Sequence, residues 1–255
     1  MSEHVKINKK DGVLEIVFAR PERKNALTNA MYVAAAEALE NANIDQDVRV
    51  VLIAGEGDAF SAGNDLGDFS AFAAGKSEEL QAWRFIKAIG SVQKPVVAAV
   101  QGLAIGVGAT MLLHCDLVYV ADDAKLTVPF VNLALAPEAA SSMLLPARIG
   151  HARAFAMFTL GEGLSGQEAY QLGLANKVAP REEVLGAARA AALALTQRPI
   201  GSVLMTKKLM RETEAILARM DEESALFKER LKTGEAKEAF NAFSERRPAD
   251  FSKFS

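Results

Sequence analysis

Short apolar runs bounded by glycine and polar loops alternate with longer Ala- and Leu-rich stretches over the first 150 residues. Val13–Phe18 (VLEIVF) and Val48–Ala54 (VRVVLIA) read as strands, because β-branched residues crowd both and a loop follows each. Thr28 is placed to cap a helix running to about Ile44. A glycine-bearing loop after Gly57 leads into a helix from about Glu78 to Ser91, and Pro95 introduces the most apolar stretch of the chain. That stretch, Val96–Leu113, carries no charge over 18 residues and contains Gly102-Leu-Ala-Ile-Gly106, which permits a membrane helix. Its three glycines, Gln101 and the β-branched Val96, Val97 and Val100 fit a buried strand, a glycine turn and a buried helix better. Asp116–Ala121 and Lys125–Val128 are expected as further strands, and a helix is expected to begin after Pro137. Strands alternating with helices predict an α/β fold with crossover connections.

Beyond Gly150 the pattern becomes mostly helical. His151–Leu160 is one segment, and Ser165-Gly-Gln-Glu168 spells a capping box for the next. Pro199 precedes Ile200–Lys232, two helices or one bent one, where Arg211, Glu212, Glu214 and Arg219 alternate with Leu209, Met210, Ile216 and Leu217. Such an amphipathic face packs on a core or another subunit. The expected division is a core over 1–195 and a helical region over 196–255.

Composition narrows the function. Of 255 residues, 50% are hydrophobic and 24% charged, enough for one large domain with a deep core. Twenty-nine basic against 32 acidic residues give net charge −3, without the basic excess that phosphate-backbone binding needs; only Arg246-Arg247 and scattered lysines favour nucleic acid. A lone cysteine, Cys115, rules out an internal disulfide and a multi-cysteine zinc site, and His4, His114 and His151 lack metal-ligand spacing, so no metal is expected. The opening MSEHVKINKKDG has no apolar signal-peptide region, and a cytoplasmic location is expected. Two motifs mislead. Gly161-Glu-Gly163-Leu-Ser-Gly166 spells a dinucleotide fingerprint but follows a helical segment rather than a strand. His114-Cys115 suggests a thiol nucleophile, but adjacent side chains on a helix diverge and Cys115 reads as core.

Four stretches carry chemistry together: Arg20-Pro-Glu-Arg-Lys-Asn-Ala-Leu27, Phe60-Ser-Ala-Gly-Asn-Asp-Leu66, Gln101-Gly-Leu-Ala-Ile-Gly-Val-Gly-Ala109 and Leu135-Ala-Pro-Glu-Ala-Ala-Ser-Ser142. In order and spacing they resemble the crotonase superfamily, the enoyl-CoA hydratase/isomerase family, over nearly the whole chain. The resemblance implies a spiral of ββα units, a C-terminal helical trimerisation region, a homotrimer or dimer of trimers, and acyl-CoA thioester substrates. Coenzyme A is then part of the substrate, and no separate cofactor is expected. It also implies that backbone N–H groups of Asn64 and Val107 hold a thioester oxyanion. Backbone donors leave the side chains free to vary, and the flanking Gly63, Gly106 and Gly108 allow close approach. By the same resemblance Arg23, Lys24 and Ala26 line the CoA channel, and Ala62, Asp65 and Leu66 lie beside the adenine pocket. Gly106 and Phe130 border the substrate. Phe243 and Arg246 match positions where some relatives reach a neighbour's site. Phe69, Phe72 and Trp83 are further candidates for tunnel walls or core.

The reaction turns on carboxylates. Hydratases of this family carry two glutamates that position water and move its proton; the matching positions here are Thr110 and Phe130. Glu138 remains, at the place where peroxisomal-type Δ3,Δ2-enoyl-CoA isomerases carry their one catalytic carboxylate. A single base suits a double-bond shift, taking a proton from C2 and returning it at C4, and an apolar pocket would strengthen it. An acid in the first turn of a helix also stabilises the helix dipole with no catalytic role. The expectation is an acyl-CoA isomerase acting through Glu138. The alternatives are a hydratase using Glu138 or Asp65 with bound water, and a non-catalytic acyl-CoA binder.

Overall fold

The computed structural model describes residues 2–65, 67–68 and 80–254. Six strands form the main sheet, in spatial order β1 (Val5–Lys10), β2 (Val13–Phe18), β3 (Val50–Gly55), β4 (Val96–Val100), β6 (Leu117–Ala121) and β9 (Lys177–Ala179). Only β1 and β2 pair antiparallel; every later neighbour is parallel. Every residue of β4, and all of β3 but Gly55, is buried, which is why these strands read as unbroken apolar runs. A second sheet holds β5 (Leu103–Ile105), β7 (Lys125–Thr127) and β8 (Leu164–Ser165). Twice the chain leaves the main sheet after one strand and adds its next strand to the small sheet: β4 then β5, and β6 then β7. This is the expected spiral of ββα steps.

Helices cover the sheets. α1 (Asn29–Ile44) opens with Thr28 accepting from Met31 N–H at 3.3 Å, a cap worth about 1 kcal/mol. It packs on β1, β2 and α2 (Ala82–Ser91). The apolar stretch at 96–113 resolves into β4, a turn at Gly102, β5, the single-turn α3 (Val107–Thr110) and a 3-10 turn over Met111–His114. Among the described residues, no helix is long and apolar enough to cross a membrane. α4 (Ser141–Ile149) and α5 (His151–Leu160) follow, and the capping box at Ser165 opens α6 (Gly166–Gln171). α7 (Arg181–Thr196) lies along β3, β4 and β6. The last three helices are α8 (Ile200–Met210), α9 (Thr213–Arg230), which packs on α2, and α10 (Gly234–Ser244).

Two elements differ from the sequence reading. β1 was not anticipated: of its six residues only Val5 is buried, so this edge strand leaves no alternating signature. The helix expected after Pro137 begins at Ser141. Glu138 therefore stands in the turn before the helix, not in its first turn.

Candidate active site

Two loops meet edge to edge beside the small sheet. Ser61 N–H donates to the Leu103 carbonyl at 3.0 Å, and Ile105 N–H donates back to the Ser61 carbonyl at 2.9 Å. On the other side of the same loop, Leu27 N–H donates to the Gly63 carbonyl at 2.8 Å, and Asp65 N–H donates to the Leu27 carbonyl at 2.9 Å. Alternation along this extended segment turns the Asn64 N–H away from Leu27, and no described residue accepts from it. Gly63 has φ +85°, and a Cβ there would lie 2.5 Å from the Ile105 carbonyl oxygen, so glycine is required for the loops to close this tightly. Gly106, at φ 56° and ψ −121°, makes the turn from β5 into α3 in a conformation closed to L-residues with side chains. Val107 then supplies the first N–H of α3, and it too has no acceptor among the described residues.

These loops border a cavity of about 720 Å³. Of the residues singled out in the sequence, Arg23, Ala26, Ala62, Asn64, Asp65, Gly106 and Phe130 line it. Leu133, Leu135, Phe227, Phe240 and Phe243 complete apolar walls, with Arg247 and Arg23 as the cations. Lys24 does not border the cavity; its ammonium pairs with Asp58. Asp65 is tied to Arg20 at 2.7 Å. Burial pushes its carboxyl up, but the Arg20 guanidinium and the Gly67 N–H outweigh that and hold it below the usual carboxylate range. Leu66, Phe69 and Phe72 lie outside the described residues. Trp83 stands one layer back, edge-on to Phe227 with ring centres 5.2 Å apart. Arg246 is exposed and borders nothing here; the neighbouring Arg247 reaches this chain's own cavity and pairs with Glu238 at 2.6 Å.

Glu138 does not border the open cavity. It is buried, 2% exposed, behind the first turn of α3. Thr110 of α3 donates its hydroxyl to Glu138 Oε1 at 2.5 Å, while Oε2 is buried with no hydrogen-bond partner among the described residues. Burial pushes the carboxyl up to about 8, against the pull of the Thr110 hydroxyl and helped by the negative charge of Glu223. The phenol of Tyr32, on α1, donates to Asn64 Oδ1. Burial and the nearby carboxylates of Glu138 and Asp68 raise that phenol well above its usual range. Thr110, noted in the sequence only as the place of a missing acid, thus bonds the acid that remains. Tyr32 and Glu223 carried no sequence signal, because a helical tyrosine and an acid on an amphipathic helix look like core and surface. Cys115 is buried, and burial lifts its thiol to about 12, an inert core position.

What the arrangement can do follows from its parts. Asn64, whose backbone N–H has no described acceptor, lines the apolar cavity. The second such donor, Val107 N–H, belongs to a buried residue that follows the lining Gly106 and is not itself part of the lining, and Thr110, one turn further along α3, bonds the buried Glu138 carboxyl. The site can polarise a carbonyl and move a proton next to it.

Residues 8–253 match the sequence model of the enoyl-CoA hydratase/isomerase family. Enoyl-CoA delta isomerase 2 of Rattus norvegicus is 32% identical over 97% of this chain, which spans 65% of the rat protein. The 1,2-epoxyphenylacetyl-CoA isomerase of Escherichia coli is 30% identical, with 98% of this chain and 99% of that protein covered. The crystal structure of an enoyl-CoA hydratase/isomerase from Pseudoalteromonas atlantica superposes with a TM-score of 0.92 at 39% identity, over 98% of this chain and 100% of that one. With its fold, its paired loops and these likenesses, the chain belongs to the enoyl-CoA hydratase/isomerase family, the crotonase superfamily of acyl-CoA-processing enzymes.

Proposed function

We propose that the protein is an enoyl-CoA Δ3,Δ2-isomerase with Glu138 as its only proton shuttle. One observation carries the reading: Glu138 is buried behind α3 with its Oε2 unbonded among the described residues and its carboxyl pushed up to about 8, while Thr110 and Phe130 hold the positions where hydratases of the family carry their acids. Ionised Glu138 takes the proton from C2 of a 3-enoyl thioester. The C2–H electron pair becomes the C1–C2 double bond, and the carbonyl pair moves onto oxygen, which accepts hydrogen bonds donated by the Asn64 and Val107 N–H groups. When that pair returns, the C1–C2 pair moves between C2 and C3, and the former C3–C4 pair takes the proton from the carboxylic acid of Glu138 at C4, which restores the carboxylate. A carboxyl titrating near neutrality suits both halves, being basic enough to take the proton and acidic enough to give it back.

Water activation has less support. Thr110 and Phe130 stand where the hydratases of the family place acids, and Asp65 is engaged with Arg20 and held acidic. The CoA portion enters past Arg23, no cofactor beyond the substrate's own CoA takes part, and a cytoplasmic location suits a soluble thioester. α8 leaves Met205, Leu209 and Met210 exposed, a face that a homotrimer or dimer of trimers would cover.

A panel of 2-enoyl and 3-enoyl thioesters, read by mass and ultraviolet absorbance, tests the reading. Conversion of 3-enoyl to conjugated 2-enoyl thioester is expected, and Glu138→Gln should lower it by about 10³-fold or more while leaving thioester binding intact. Faster formation of 3-hydroxyacyl-CoA from crotonyl-CoA would overturn the isomerase reading in favour of a hydratase. Thioester binding without proton exchange at C2 in deuterated water would overturn it in favour of a binder.

A further inference from the structure

The turn that carries Glu138 is held in an unusual shape from two sides. Ser141 N–H donates to the Glu138 carbonyl at 3.0 Å, closing a tight turn whose central residues, Ala139 and Ala140, both have positive φ, 59° and 55°. Neither is glycine, so the surroundings must impose this backbone. α4 starts directly after the turn with no side-chain cap of its own.

Glu223, near the middle of α9, supplies the missing cap from a distance. Its Oε2 accepts from Ala140 N–H at 2.6 Å and its Oε1 from Ser142 N–H at 2.9 Å, and the side chain is 4% exposed. From the opposite side, His114 Nε2 lies 2.8 Å from the Ala139 carbonyl oxygen. The guanidinium of Arg211, which can only donate, bonds His114 Nδ1. Nδ1 is therefore the acceptor, the proton resides on Nε2, and Nε2–H donates to Ala139. Burial and the cations Arg211, Arg148 and Lys207 push this imidazole down to about 3, so it stays neutral and keeps that tautomer. The carbonyl of Ala139 and the N–H groups of Ala140 and Ser142 are thus each held by a buried side chain from outside the turn.

We infer that Glu223 and His114 are positioning residues for Glu138: together they lock the left-handed turn at Ala139–Ala140 that aims the carboxylate at the substrate. The inference rests on the reading of Glu138 as the base. It makes the C-terminal helices part of the catalytic apparatus, because Glu223 belongs to α9. Glu223 also faces Glu138 electrostatically, where its negative charge opposes ionisation. The groups around Glu138 are then the Thr110 hydroxyl, the Tyr32 phenol and Glu223; those around Glu223 are the two N–H groups, the Ser142 hydroxyl and Arg219.

Glu223→Gln tests this in the full-length protein with a 3-enoyl thioester. Glutamine keeps the shape and one acceptor, but it sets an amide nitrogen against the second N–H and removes the charge. The expected result is a fall in kcat of at least about tenfold with KM within about twofold, and an acidic limb of kcat/KM displaced to lower pH. A purely structural clamp would lower thermal stability and leave the limb in place. A matched pair at His114 covers poor folding of that variant. Glutamine places its amide nitrogen near the Nε2 position and should keep kcat, whereas His114→Asn, whose nitrogen matches Nδ1, should lose it at unchanged KM. Unchanged kcat and pH profile in Glu223→Gln, or equal kcat in the two His114 variants, would overturn the inference. If Glu138→Gln also turns over normally, it is the assignment of the base that fails; if Glu138→Gln is inactive, only the clamp does.

Discussion

Replacing Thr110 by valine keeps the volume of the side chain and deletes the one described hydrogen bond to the Glu138 carboxylate, 2.5 Å long and buried. A hydrogen bond to an ionised group contributes roughly 1.5–3 kcal/mol. Thr110 favours the ionised form, so its loss raises the carboxyl by about 1–2 pKa units, at 1.36 kcal/mol per unit. From a starting point of about 8, the acidic limb of kcat/KM should move to roughly 9–10. At pH 7 the ionised fraction then falls from about a tenth to about a hundredth or a thousandth, and isomerisation slows by about 10–100-fold. The deficit should shrink steadily toward pH 9, and Thr110→Ser should behave like the wild type. The assay is the rise of conjugated-thioester absorbance from a 3-enoyl substrate, in short reactions between pH 6 and 9.5. A limb that stays in place, or a deficit constant across pH, would refute the assignment of that limb to Glu138.

Stability should report the same carboxyl. Its pKa is about 8 in the folded chain against an ordinary 4.5, so between those values the unfolded state has released a proton that the folded state retains. Wild-type stability from this group is therefore full below pH 4.5 and is lost as pH rises to 8. Glu138→Gln, which does not titrate, should gain on the wild type by up to about 4–5 kcal/mol across that window and hold a constant margin above it, measured by denaturant titration. Val107→Pro removes one backbone donor at the first position of α3, where proline is tolerated. It should cost about 10²–10³-fold in kcat with the thermal midpoint nearly unchanged, and wild-type turnover would exclude that N–H from the oxyanion site.

Much of this was written plainly in the sequence. Thr28 marked the start of α1, Ser165-Gly-Gln-Glu168 marked α6, and buried β-branched runs marked β3 and β4, because local chemistry decides those elements. The two glycine loops were legible because close backbone approach leaves few residue choices. What stayed hidden depends on distant partners. The Pro137-Glu138 pair looks like a helix start, and no local rule places two alanines in the left-handed region; Glu223, 83 residues from Ala140, and His114, 25 residues from Ala139, hold them there. β1 was hidden because one buried residue gives no pattern. Lys24, expected at the CoA channel, pairs with Asp58 outside the cavity, and Arg247, given no site role in the sequence, reaches the cavity and pairs with Glu238; spacing along the chain does not encode such pairs.

The central claim is that one carboxylate both removes and returns the migrating proton. A 3-enoyl thioester carrying deuterium at C2 tests it in a single turnover, followed by nuclear magnetic resonance of the product. Because Glu138 is buried, part of the deuterium should reappear at C4 in the wild-type product, and Glu138→Gln should yield almost no product. Isomerisation by Glu138→Gln at the wild-type rate, with or without deuterium at C4, would contradict the account.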